Sequence, residues 1–140
     1  MGQQDLSAAA TALSELNRIH QLFVDSLSHR GVSASPANAG SFTTRGNDLS
    51  AMVLGVPFRV VRRPVSIGGQ FRLCEYAFLT PYDGGDLCVW CLYLDGQGAL
   101  YTDSKQAQRL CDITSGDLVG MALVELASAL MDSPVFAPRH

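Results

Sequence analysis

The chain has 140 residues, a net charge of −3 and a pI of about 5.4. Its single lysine and scattered arginines do not form the dense basic surface of nucleic-acid-binding proteins, so we predict no nucleic-acid partner. No apolar run is long enough to cross a membrane, and no secretory signal pattern opens the chain. We therefore expect one cytoplasmic domain, residues 1–140, without membrane association.

The chain is short of charge. Charged residues make up 16% of the sequence, against roughly 25% in an average globular protein. A small domain with so few charges has less surface that must face water. The composition therefore favours burial against a second copy, and we predict a homodimer.

Residues 5–29 have the pattern of one long amphipathic helix. Apolar side chains recur every three or four residues from Leu6 to Leu27, and Gly31 provides the expected end. His20 lies inside the apolar stripe, where a hydrogen-bonded packing histidine is commoner than a ligand. The helix is predicted to pack on a sheet; pairing with a copy of itself is the alternative.

Residues 31–50 are rich in Gly, Ser, Ala, Asn and Thr and are predicted to form a flexible loop. Residues 49–56 fit either a short strand or a helical turn. The next strand, residues 58–67, carries Pro64 and three arginines, the composition of a protected sheet edge. Arg59, Arg62 and Arg63 are the candidate contacts for an acidic protein partner. The alternative is that they form ion pairs with Glu75 or Asp86.

The sheet is predicted to span residues 57–103. Segments 70–80 and 87–94 are apolar and aromatic-rich, and glycine-containing turns follow each of them. Segment 87–94 does not alternate apolar with charged residues, which predicts a central strand covered on both faces. Glu75 is the one carboxylate inside segment 70–80, so it is the best candidate for an unusual pKa.

Two of the four cysteines, Cys88 and Cys91, have the C-x-x-C spacing of redox and metal sites. In an extended strand, however, residues three apart point to opposite faces of the sheet. We therefore interpret them, with Cys74 and Cys111, as buried free thiols. The sequence predicts no metal site and no cofactor.

Residues 104–132 are predicted to form two helices. Asp103 would begin the short first helix, and the second would end near Met131, buried nearly all round because its polar positions form one narrow stripe. Residues 133–140 form a tail. The predicted fold is α+β: an antiparallel four- to five-stranded meander sheet packed by a long N-terminal helix and two C-terminal helices.

In size, acidity and its apolar C-terminal helix the chain resembles the chaperones of bacterial type III secretion, although those place a helix among their strands. That resemblance implies a protein-binding function. We expect a non-enzymatic protein-binding domain, an adaptor, secretion-chaperone-like or immunity-type protein, without a catalytic residue set. One alternative is a small-molecule sensor or carrier with a pocket between sheet and helices; another is a small enzyme using Glu75. The pocket would be lined by Glu75, Tyr76, Trp90, Tyr93 and Tyr101.

Overall fold

The computed structural model describes residues 3–30 and 40–138. It consists of one long helix, seven strands, a second helix and a final turn of 3-10 helix. The elements are α1 (Gln3–Arg30), β1 (Gly40–Arg45), β2 (Asp48–Val53), β3 (Val56–Ile67), β4 (Gln70–Tyr82), β5 (Gly85–Asp95), β6 (Ala99–Tyr101), β7 (Arg109–Asp112), α2 (Leu118–Met131) and the 3-10 turn Pro134–Phe136. The α+β class is confirmed, but four to five strands and two C-terminal helices are wrong.

The seven strands form one antiparallel sheet in which every strand pairs with its neighbour in the chain. Laid flat, seven strands would span roughly 29 Å. Helix α2 nevertheless contacts β1 and β2 near one edge as well as β5 and β7 towards the other. The sheet is curled into a half-barrel, which brings strands near both edges within reach of α2. Both helices lie on the inner, concave face, where α1 packs mainly on β4.

The core lies between this inner face and the two helices. Strand β4 is the middle strand, and its Tyr76 and Phe78 are fully buried. The Phe78 ring packs against Phe42, Phe58 and Trp90, with centroid distances from 5.2 to 6.5 Å. Aromatic side chains from β1, β3 and β5 therefore meet at Phe78 of β4, on the inner face of the sheet.

Strand β5 is not the doubly covered central strand that its apolar composition predicts. Leu92 and Leu94 are buried on the inner face, whereas Cys91 and Tyr93 on the outer face are only half-buried. A half-buried outer face tolerates thiols and a tyrosine as readily as charged groups. Composition alone therefore could not reveal that one side of β5 faces solvent.

The predicted loop at residues 31–50 is wrong over its second half. Strands β1 and β2 form a hairpin with Thr43 opposite Ser50. Leu49, Ala51 and Val53 alternate with exposed residues, so β2 has one buried face. Residues 31–39 lie outside the described part of the chain.

The predicted short helix after Asp103 is also wrong. The Asp103 carboxylate accepts hydrogen bonds from the backbone N–H groups of Ala107 and Gln108 at 2.8–3.2 Å, which closes a loop instead of beginning a helix. The chain then enters β7, and α2 begins only at Leu118.

Strand β3 is the third of the seven strands, so its assignment to a sheet edge is wrong; β1 and β7 are the edges. A register shift between Val65 and Ser66 follows Pro64, so the proline is accommodated beside an irregularity within the sheet.

Over residues 3–30 and 40–138, neither helix combines the length and hydropathy required to traverse a bilayer.

Candidate functional site

The five residues of the predicted pocket lie on opposite faces of the sheet. Tyr76 and Trp90 point to the inner face, where they belong to the core or pack against it. Glu75, Tyr93 and Tyr101 point to the outer face, since each lies one residue from an inner-face position. The sheet therefore separates these side chains, and they cannot line a single pocket.

The inner-face tyrosine forms a buried polar pair with α1. The Tyr76 hydroxyl lies 2.7 Å from Nδ1 of His20, and Nε2 of His20 lies 3.1 Å from the Asn47 carbonyl oxygen. A carbonyl oxygen can only accept, so Nε2 carries the proton and Nδ1 accepts from Tyr76. Burial lowers the pKa of His20, and nearby Arg62 adds to the effect. His20 is thus a neutral, hydrogen-bonded core residue.

A row of polar side chains crosses the outer face from β3 to β7. The register places its members opposite one another on five consecutive strands. We call this set the outer row: Arg63, Glu75, Tyr93, Tyr101 and Arg109. It joins two cations, one carboxylate and two hydroxyls on a surface that neither helix covers.

Glu75 is the best-paired member of the outer row. Nε of Arg63 donates to Oε1 of Glu75 at 2.7 Å, and the Tyr93 hydroxyl donates to Oε2 at 3.0 Å. The hydrogen bond from Arg63 lowers the pKa of Glu75 and outweighs the opposing effect of burial. Burial, followed by the bond to Glu75, raises the pKa of Tyr93. Glu75 is therefore an ionised carboxylate at neutral pH, which is unfavourable for general acid catalysis.

The three arginines predicted to bind a partner do not form one cluster. Arg59 pairs with Asp86 at 2.7 Å on the outer face, and Arg63 pairs with Glu75. Arg62 lies opposite Tyr76 in the register and donates to Asn17 of α1 at 3.1 Å. The alternative expectation, ion pairs with Glu75 and Asp86, thus holds for two of the three arginines, Arg59 and Arg63. Their binding of an acidic partner stays a prediction.

Cys88 and Cys91 lie on the same face, contrary to the prediction from strand alternation. Trp90 pairs with Phe78, but the next pair along β4 is Leu79 with Cys88, so Val89 is an extra, bulged residue. The bulge shifts the alternation by one, and both thiols emerge on the outer face with their Sγ atoms 3.6 Å apart. Cys88 is exposed and Cys91 half-buried, so their interpretation as buried thiols is wrong as well.

The surroundings of Cys91 perturb the ionisation of its thiol. Burial, contact with Cys88 and the nearby Glu75 carboxylate raise the pKa of Cys91 to about 12. Cys91 is therefore a protonated thiol at neutral pH. The Cys88 Sγ atom also lies 3.7 Å from the Trp90 carbonyl oxygen, a weak S–H···O contact within the bulge.

The first part of α1 is not covered by the sheet. Every side chain from residue 6 to residue 15 is exposed or half-exposed, and the first buried one is Leu16. We call residues 6–15 the α1 extension. Leu6 is 74% exposed and Leu13 36% exposed, although both continue the stripe that is buried further along the helix. The apolar face of α1 is thus longer than the surface available to cover it.

The sequence predicts that α2 is buried nearly all round, and this prediction is wrong. Its inner side packs into the core through Leu118, Val119, Ala122, Leu123, Leu126 and Leu130. Its outer side exposes Met121, Val124 and Met131, with Val124 64% and Met131 59% exposed. These three residues, the α2 outer face, lie among the polar positions that the sequence pattern places there.

A groove of about 630 Å³ is lined by residues of four neighbouring strands, β2 to β5. Its lining includes Pro57, Arg59, Leu79 and Asp86 but none of the five predicted pocket residues. Within residues 3–30 and 40–138, no three His, Cys, Asp or Glu side chains are grouped so that they could hold a metal ion.

The comparisons with known proteins add no functional assignment. No protein-family model, no curated protein and no solved structure matches this chain.

Proposed function

We propose that this chain is a non-enzymatic protein-binding domain that acts as a homodimer, with the α1 extension as the contact between the two copies. The observation that carries the proposal is the exposure of Leu6 and Leu13 on a stripe whose continuation, from Leu16 onwards, is core. Apolar surface of this regularity is stabilised by removal from water, which the chain's own sheet does not provide here.

A second copy fits this surface because the extension is self-complementary. Leu6, Ala9 and Leu13 have the three–four spacing of a helix–helix seam. From Leu6 to Ser14 no residue is charged, and alanines and serines predominate, so two helices can approach closely without like-charge repulsion. The first charged pair, Glu15 with Arg18, is satisfied within α1 itself.

The contact is small, which sets its strength. Three apolar positions per copy bury much less than the ~1,200 Å² of a standard-sized interface. We therefore expect a dimer that dissociates on dilution. The low charge of the whole chain, 16%, favours the same association.

The α2 outer face is the surface proposed for a protein partner. Methionine side chains are flexible and polarizable, and such surfaces adapt to partners of different shape. Met121, Val124 and Met131 lie on α2 and not on the α1 extension, so the two proposed contacts use different surfaces. No specific observation favours the sensor or enzyme alternatives, since the pocket residues are split between two faces and Glu75 is ion-paired.

The test is solution mass by light scattering across a dilution series. The wild-type chain should approach twice its 15.0 kDa monomer mass at high concentration and lose mass on dilution. The double variant Leu6→Glu/Leu13→Glu should stay monomeric with unchanged circular dichroism. Leu22→Glu is the matched control, because Leu22 lies on the same helix, is 42% exposed and lies off the stripe. A wild-type chain that is monomeric at every concentration contradicts the proposal, as does loss of the dimer in the Leu22 variant alone.

A further inference from the structure

The bulge in β5 brings Cys88 and Cys91 within reach of a direct covalent bond. Cys91 lies opposite Ala77 and Cys88 opposite Leu79, two residues further along β4. Residues two apart in a strand have Cα atoms about 6.8 Å apart, so the two cysteine Cα atoms must be separated by a similar distance. That separation is at the upper end of the ~4.4–6.8 Å range of disulfides. Without the bulge, three residues of strand would place the Cα atoms roughly 10 Å apart.

The two sulfur atoms are already in contact. Their 3.6 Å separation must shorten to about 2.05 Å, mainly by rotation of the side chains. Both thiols face the uncovered side of the sheet, and Cys88 is exposed to reagents in solution. Cys74 is 98% buried by contrast, since only 2% of it is accessible. The four cysteines are therefore unequal, and one pair is both accessible and preorganised.

We infer that Cys88 and Cys91 are a reversible oxidation site, at which a small-molecule disulfide converts the two thiols into an intramolecular disulfide across the bulge. This inference does not rest on the proposed function, because the thiol pair and the α1 extension belong to different surfaces.

The chemistry proceeds in two exchange steps. The exposed Cys88 loses its proton to solvent, and its sulfur attacks one sulfur of glutathione disulfide; the glutathione S–S bond breaks and one glutathione leaves as its thiolate. Cys91 then loses its proton to solvent, its sulfur attacks Sγ of Cys88, and the second glutathione leaves. Two protein thiols are oxidised and one glutathione disulfide is reduced to two glutathione molecules.

The surroundings of the two cysteines indicate the order in which they react. Cys91 is half-buried beside Glu75 and Tyr93, and its raised pKa keeps it protonated. Cys88 has the greater access, so it reacts first and Cys91 resolves the mixed disulfide. The product lies at the upper limit of disulfide geometry, and exposed or strained disulfides of that kind are the readily reduced ones. The site is therefore reversible.

The experiment is incubation of the full chain with glutathione disulfide under native conditions, followed by intact mass spectrometry and alkylation of remaining thiols. The wild type should lose two hydrogen atoms, carry no glutathione and retain two alkylatable cysteines of its four after denaturation. Dithiothreitol should restore all four. Cys91→Ser should stop at one glutathione on Cys88, because the resolving thiol is missing. Cys88→Ser should form no internal disulfide.

Cys111→Ser is the matched control and should behave as the wild type does. Protection of Cys74 from alkylation before denaturation reports that the oxidised chain is still folded. Three results would overturn the inference: a wild-type chain that keeps glutathione without closing the ring, a disulfide that disappears in the Cys111 variant, or disulfide-linked dimers on non-reducing gels. The Leu6→Glu/Leu13→Glu chain should oxidise as the wild type does, which separates this result from the dimer test.

Discussion

At the scale of single residues, His20 shows how a polar group becomes part of a core. Both of its ring nitrogens have partners, Tyr76 and the Asn47 carbonyl, and the residue is only 3% exposed. A buried polar group without partners would cost several kcal/mol, so these two bonds permit a histidine where the helical stripe otherwise requires an apolar residue. The sequence placed His20 on the packing face but could not name its partners, which are 27 and 56 residues away.

The lowered pKa of His20 predicts a pH dependence of stability. The unfolded chain binds a proton with a pKa near 6.5, the folded chain only at lower pH. The free energy of unfolding should therefore decrease as the pH falls below about 6.5, and this group should have no effect well above it. Urea denaturation of wild type and His20→Gln between about pH 5.5 and 7.5 measures this difference. The other two histidines are common to both chains. Equal slopes of the free energy of unfolding against pH in the two chains would therefore contradict the prediction.

The outer row makes a second prediction at this scale. The Glu75 side chain is 14% exposed and has two partners, whereas Asp86 is 48% exposed and pairs with Arg59, itself 61% exposed. Glu75→Gln should therefore lower stability at pH 7 by about 1 kcal/mol, and Asp86→Asn by less than about 0.5 kcal/mol. The lowered pKa of Glu75 means that this contribution is present above its unfolded pKa and lost as the pH falls through its folded value. Denaturant titration of both variants at pH 7 and pH 3.5 tests whether Glu75→Gln lowers the free energy of unfolding more than Asp86→Asn does. Equal losses of this free energy at pH 7 would contradict the prediction.

At the scale of elements, the helices and the long strands could be predicted because their patterns are local. The 3.6-residue period of α1 and the apolar segments of β4 and β5 are visible in the sequence. The β1 strand could not be predicted, because only Phe42 is buried among its Ser, Thr and Gly residues. The bulge at Val89 could not be predicted either. It depends on how β5 pairs with β4, and one extra residue reversed the assignment of Cys88 to a face.

The turn between β5 and β6 gives a prediction about backbone conformation. Gly98 has φ +88°, and a Cβ atom there would lie 3.2 Å from Cγ1 of Ile113. Gly98→Ala should therefore destabilise the chain by more than about 1 kcal/mol, because strain and a close contact act together. Gly85→Ala is the matched control: its φ lies outside the left-handed region and the space around it is open, so it should be neutral or slightly stabilising. Thermal unfolding of the two variants compares them; equal midpoints would contradict this account.

At the scale of the whole molecule, the curled sheet and its two helices depend on one another. Helix α2 supplies six buried apolar side chains and touches strands near both edges of the sheet. The sequence predicted helices packed on an antiparallel sheet but not the number of strands or the curl. These depend on aromatic contacts between distant segments, such as Phe42 and Phe58 on Phe78. Why a surface is left uncovered, as on the α1 extension, also follows only from the assembled shape.

This dependence predicts unequal effects of shortening the chain. A chain ending at Asp117 lacks α2 and should leave the inner face open, bind a hydrophobic dye and lose cooperative unfolding. A chain ending at Asp132 keeps α2 and removes only the residues beyond it, so it should unfold cooperatively. Dye fluorescence compares the exposed apolar surface of the two chains, and thermal denaturation compares the cooperativity of their unfolding. Cooperative unfolding of the shorter chain would show that α2 is dispensable.

The order of the strands has a consequence for synthesis on the ribosome. Each strand pairs with the one made just before it, so β1 to β7 can join in sequence as they leave the exit tunnel. Helix α1 is translated before the strands, whereas α2, which covers the rest of the inner face, is translated after all seven of them. Before α2 emerges, a nearly complete sheet therefore exposes the part of its apolar concavity that α2 later covers. A chain truncated between Asp112 and α2 would keep this surface exposed after release, the form most prone to aggregate or to recruit a chaperone.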